Sequence, residues 1–183
     1  KTTDTVDNPE YGGNDEIILG DGTNHVLGGM GADTITTHDG YDVILGDNGT
    51  IDYYLGNDTE VDHNGTAFVL SKIESTVLDK GGIDIIVSGD GIKHIVGGYG
   101  ADEITAGTGD HVISGDNGQM TYDTVGKVKH LHTMDVVAET GGDDVIKANE
   151  GSTGDNYILG GMDNDDITTG TGRDVILGDN GSV

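Results

Sequence analysis

The sequence predicts an all-β chain, a right-handed parallel β-roll (β-solenoid) of nine-residue half-coils with β excursions between modules. Three observations predict it. The stretch Gly28 to Leu45 reads GGMGADTIT and then THDGYDVIL, two nine-residue units with Gly at the fourth place, Asp at the sixth and Ile at the eighth. The same frame extends both ways over most of the chain. The eighth place is filled almost uniformly by β-branched residues, which suit a ladder of short stacked strands.

Residues 1–9 read as the end of a preceding excursion, because Asp4-Thr5-Val6 before Gly12-Gly13 resembles Ser75-Thr76-Val77 before Gly81-Gly82. Module one spans 10–54, with Gly13, Gly22, Gly31, Gly40 and Gly49 at the fourth place and Asp15, Asn24, Asp33, Asp42 and Ile51 at the sixth. An excursion follows at 55–78, polar and turn-rich at first, then apolar from Thr66 to Leu70. Module two, 79–123, repeats the plan with Gly82, Gly91, Gly100, Gly109 and Gly118, and with Asp84, Lys93, Asp102, His111 and Met120 at the sixth place. A second excursion fills 124–138. Module three, 139–183, has Asp144, Asn156, Asp165 and Asp174 at the sixth place, three extra residues from Ala148 to Glu150, and Asp163 where a fourth-place Gly is expected. Each module closes on a Gly-Asp-Asn-Gly tetrad, at Gly46, Gly115 and Gly178.

Inward places are expected at Ile17, Val26, Ile35, Ile44, Ile86, Ile95, Ile104, Ile113, Ile146, Ile158, Ile167 and Ile176. The outward places of alternate units carry Leu27, Val43, Leu45, Val96, Val112, Leu159, Val175 and Leu177. A face that apolar needs a cover, which the excursions are expected to provide.

The sixth-place Asp residues carry the chemistry. Glycines permit tight turns that bring backbone carbonyls together, each Asp adds a hard oxygen, and units two apart stack on one side. A cation that takes six to eight oxygens at about 2.3–2.6 Å fits between such turns. The strongest pairs are Asp15 with Asp33, Asp84 with Asp102, and Asp144 with Asp165, with carbonyls from Gly13, Gly31, Gly82, Gly100 and Gly142. On the opposite side Asn24 with Asp42 and Asn156 with Asp174, beside Gly40 and Gly172, make weaker sites. Asp47, Asp116 and Asp179 of the tetrads are further candidates. Lys93 and His111 break the pattern, so that position is expected to hold no metal, the ammonium reaching Asp90 or Asp110 or lying in solvent. The alternative is that these Asp residues only cap turns.

The repeated unit resembles the G-G-x-G-x-D-x-U-x pattern of hemolysin-type calcium-binding (RTX) repeats, where U is a large apolar residue. That resemblance implies a calcium-loaded β-roll, a secreted, extracellular or cell-surface location, and folding on calcium binding after export. The function it implies is a structural repeat module of a larger bacterial protein, such as an adhesin stalk, surface layer or filament. The alternative is a calcium-binding accessory domain of a secreted enzyme or toxin. Open-ended repeats make homotypic end-to-end or lateral assembly a further expectation.

Composition agrees with that resemblance. Gly numbers 34, aromatics are 4%, and the formal net charge is -26. Without a bound cation such a chain buries too little apolar surface to fold. The charge argues against nucleic acid and anionic membranes as partners. With Cys 0, disulfides cannot substitute for a thin core. No apolar run approaches the roughly 20 residues that span a bilayer, and the absence of an initiator Met suggests a processed piece. An enzyme is not expected, since no HExxH, GxSxG, phosphate-loop or EF-hand pattern occurs. His130 and His132 read as exposed histidines rather than a metal site.

Overall fold

The computed structural model describes residues 12–54 and 69–183. The excursion expected at 1–9, the start of module one and residues 55–68 of the first excursion lie outside the described residues. Glycine turns alternate with short runs rich in β-branched and other apolar residues, and these runs form the strands. In chain order these are β1 (Glu16–Ile18), β2 (Gly22–Leu27), β3 (Thr34–Thr36), β4 (Gly40–Leu45), β5 (Gly49–Tyr54), β6 (Val69–Ser75), β7 (Ile85–Ser88) and β8 (Lys93–Gly98). They continue as β9 (Glu103–Ala106), β10 (His111–Asp116), β11 (Gly118–Tyr122), β12 (Val128–Thr133), β13 (Val145–Thr153), β14 (Asn156–Gly161), β15 (Asp166–Thr171) and β16 (Val175–Asp179). The described residues are all-β apart from one 3-10 turn at Ala138–Thr140. No helix long and apolar enough to cross a membrane occurs among the described residues.

Two parallel sheets of six strands face each other, in the orders β1-β3-β7-β9-β13-β15 and β2-β4-β8-β10-β14-β16. Within the modules the chain alternates between them. In the first sheet Ile17, Ile35, Ile86, Ile104, Ile146 and Ile167 stand in register. In the second, Val26, Ile44, Ile95, Ile113, Ile158 and Ile176 do the same. The central members of both ladders meet in one buried cluster. Excursions do not interrupt the stack, because β4 pairs directly with β8 and β3 with β7.

A third, antiparallel sheet, β5-β6-β11-β12, lies on the outer face of the second. Leu70, Ile73, Met120, Tyr122 and Leu131 pack there against Val43, Leu45, Val96, Val112 and Leu159. The nine-residue frame puts Gly49–Tyr54 and Gly118–Tyr122 inside modules one and two, yet they form β5 and β11 of this sheet. The physical reason is their sixth place. Ile51 and Met120 carry no ligand atom for a loop, and both join the apolar cluster under the third sheet. Residues after the third tetrad extend the pattern, with Leu131 and Val183 exchanging backbone hydrogen bonds of 2.9 Å.

Candidate metal centre

The sixth place falls one residue before a first-sheet strand begins, so its side chain lies along the stacking axis, between one turn and the next. Asp33 Oδ1 accepts the Asp15 N–H at 2.7 Å, Asp84 Oδ1 the Asp33 N–H at 2.7 Å, and Asp102 Oδ1 the Asp84 N–H at 2.8 Å. Asp144 Oδ1 accepts from Asp102 at 2.7 Å and Asp165 Oδ1 from Asp144 at 3.0 Å. The pairs expected within modules are thus one continuous column that crosses both excursions. Strands about 4.8 Å apart set its spacing.

Only half of each carboxylate is used. The Oδ2 atoms of Asp33, Asp84, Asp102, Asp144 and Asp165 are buried and have no hydrogen-bond partner. An unpartnered buried oxygen of this kind costs free energy until something positive meets it. Each of these atoms abuts the first glycine of a turn. A Cβ on Gly28, Gly46, Gly97, Gly115 or Gly160 would collide with Oδ2 of Asp33, Asp84, Asp102, Asp144 or Asp165, in that order. The same Cβ atoms would collide with the carbonyl oxygens of Gly46, Gly97, Gly115, Gly160 and Gly178. Glycine leaves open a cradle of carboxylate and carbonyl oxygen, the donor set of a hard cation.

Burial raises these carboxyls above their ordinary range, with neighbouring carboxylates adding to it. Asp84 is pushed up to about 7, Asp144 to about 9 and Asp165 to about 6. Asp33 and Asp102 move in the same direction. Asp15, at the exposed end, begins the column. Among the described residues no three His, Asp or Glu side chains gather as a cluster. The column supplies its carboxylates strand by strand, so backbone carbonyls must complete any coordination shell.

The tetrad Asp residues tie departing turns to returning ones. Asp47 accepts from Gly82 N–H at 3.1 Å and Tyr99 N–H at 2.6 Å, and burial beside Asp84 pushes it up to about 9. Asp116 accepts from Gly142 at 3.0 Å and from Met162, and burial raises it to about 7. Asp179 is exposed on β16. The fourth-place glycines are stacking points. A Cβ on Gly31 would strike Gly13, one on Gly82 would strike Gly31, and one on Gly100 or Gly142 would strike the glycine before it in the column. Gly40 and Gly172 rest in the same way on Gly22 and Gly154. Asp163, standing in for such a glycine, adopts φ 68°.

The second-sheet column is chemically different. Asp42 is fully buried, and both its oxygens are taken: Oδ1 accepts from Asn24 at 2.8 Å, and Oδ2 from Thr37 at 2.8 Å and Lys93 at 2.6 Å. The Lys93 ammonium, itself 0% exposed, also donates to the carbonyls of His38 at 2.9 Å and Gly40 at 3.2 Å. Its partner is therefore neither Asp90 nor Asp110, because Asp42 stands next to Lys93 in register while those two precede the strands. Asp174 accepts from Asn156 at 2.7 Å and Thr169 at 2.9 Å.

Two features escape a frame built on Gly and Asp. The first glycines of the turns border the orphaned oxygens, whereas the repeat pattern points to the fourth. And Tyr53 bonds His25 Nδ1 at 2.8 Å while Tyr122 bonds His94 Nδ1 at 2.9 Å, each pair 28 residues apart, a spacing visible in the sequence. Compared with protein-family models, curated proteins and solved structures, the chain matches none.

Proposed function

We propose that the chain is a calcium-binding structural repeat module, a right-handed parallel β-roll belonging to a larger secreted or cell-surface bacterial protein such as an adhesin stalk, surface layer or filament. The observation that carries the reading is the row of buried, unpartnered Asp oxygens facing glycine carbonyls along the first sheet. Asp33, Asp84, Asp102, Asp144 and Asp165 would hold the ions, one carboxylate oxygen each, with turn carbonyls completing the shell. Calcium suits these hard oxygens and neutralises a chain of net charge -26. In scarce calcium the carboxylates repel and desolvation opposes folding; in abundant calcium, binding and folding become one equilibrium.

The test is far-UV circular dichroism during a calcium titration, with magnesium as control and light scattering alongside. A cooperative transition from coil to β-structure with calcium alone is the expected result, and growth in scattering would add self-association. A β spectrum that persists in strong chelator at neutral pH would overturn the reading and leave the Asp column as turn chemistry.

A further inference from the structure

The two loop columns share a backbone but differ in how their oxygens are satisfied. We propose that calcium loads one side of the roll only, because the second-sheet column carries its own cation, the Lys93 ammonium, in the position a metal would take. This rests on the calcium reading and extends it by assigning which half of the repeat is metal-free.

An ammonium has three N–H donors and no acceptor. Lys93 meets three oxygens, Asp42 Oδ2 at 2.6 Å and the His38 and Gly40 carbonyls at 2.9 and 3.2 Å, with its side chain and that of Asp42 both 0% exposed. One carboxylate and two carbonyls of a single turn are the donors that a hard cation uses. Here they are filled by a charge the chain cannot release. A buried carboxylate paired this way needs no further ion.

The neighbouring turns of the same column are closed by neutral donors. Asn24 Nδ2 takes the Gly20 carbonyl at 3.0 Å, and the His111 ring nitrogen Nε2 pairs with the Gly107 carbonyl at 2.8 Å. Asn149 lies within the three extra residues of module three. It adopts φ 57°, donates to Gly109 O and Asn156 Oδ1 at 2.9 Å each, and accepts the Gly109 N–H at 2.7 Å. The insertion thus delivers an amide into the column. The first-sheet column has Asp at every sixth place, and an ionised carboxylate offers no donor. Its five orphaned oxygens remain open to metal.

The test counts ions bound to the folded, calcium-saturated chain by equilibrium dialysis and elemental analysis. D42N is expected to leave the count unchanged, and K93D to raise it by one ion by opening the position Lys93 fills. D102N is the control for the other side and is expected to lower the count. A lost ion in D42N, or an unchanged count in folded K93D, overturns the proposal. If instead D102N keeps the full count, the first-sheet reading fails, independently of Lys93. Should K93D not fold, amine acetylation of the wild-type chain decides: Lys93 is expected to resist under conditions that modify Lys80, whose side chain is 41% exposed. Equal reactivity of the two would overturn the proposal.

Discussion

A Cβ on Gly97 would meet both the Gly115 carbonyl oxygen and Asp102 Oδ2. The first belongs to backbone held in a sheet and the second to a buried side chain, so neither can step aside cheaply. Gly97→Ala is therefore expected to lose an ion from the calcium-loaded chain and to lower its thermal midpoint, both read against wild type in the same buffer. Asp102→Asn separates charge from shape. Its Oδ1 can still accept the Asp84 N–H, while an amide in place of Oδ2 can donate to the facing carbonyl. In chelator this replaces a buried, unpartnered oxygen with a group that can donate and is expected to raise stability by about 1–3 kcal/mol. In calcium it removes a ligand and is expected to lower it. Thermal melts in both buffers check the pair of signs, and a shift of the same sign in each would show that Asp102 is not a metal ligand.

Ile95 is fully buried between Ile44 and Ile113 in the second-sheet ladder. Ile95→Ala is expected to cost about 2–5 kcal/mol by transfer and cavity terms without changing the ion count, since the Ile95 side chain carries no ligand atom. The third sheet is anchored differently. Burial lowers His94 to about 3, so its ring is neutral, and its Nδ1 shares a hydrogen bond with the Tyr122 hydroxyl. Tyr122→Phe strands that nitrogen and is expected to cost about 1–3 kcal/mol, measured by denaturant unfolding in calcium. Both ladders were legible in the sequence because period, glycine and β-branching agree at each of their positions. The exits of β5 and β11 were less so: Gly49 and Gly118 keep the frame, and only Ile51 and Met120 at the sixth place signal that no loop site follows. The Lys93 partner was not legible at all. It depends on β4 pairing with β8 across a whole excursion, a contact that no nine-residue window contains.

On the scale of the whole molecule, the buried carboxyls of the first-sheet column and of the tetrads are expected to make stability depend on pH, in a direction that calcium on the column would reverse. Asp47 and Asp144 are raised to about 9, Asp84 and Asp116 to about 7 and Asp165 to about 6, all from an ordinary value of 3.8. A carboxyl raised on folding binds its proton more tightly in the folded state. Its contribution is fully present below 3.8, declines as pH rises above that, and is gone once pH has passed the folded value, at about 6 for Asp165 and about 9 for Asp47 and Asp144. The calcium-free chain is thus expected to be most folded at mildly acidic pH and to unfold as pH climbs, with net charge -26 at pH 7 adding repulsion to the same trend. Calcium is expected to invert the slope, because ligands must shed their protons before they bind it, and apparent affinity would then increase with pH. Circular dichroism from pH 4 to 9, run once in chelator and once in calcium, reads both slopes. Opposite slopes are expected. Parallel curves would mean that protons and calcium do not compete for the same Asp oxygens, and the column would lose its role as the metal centre.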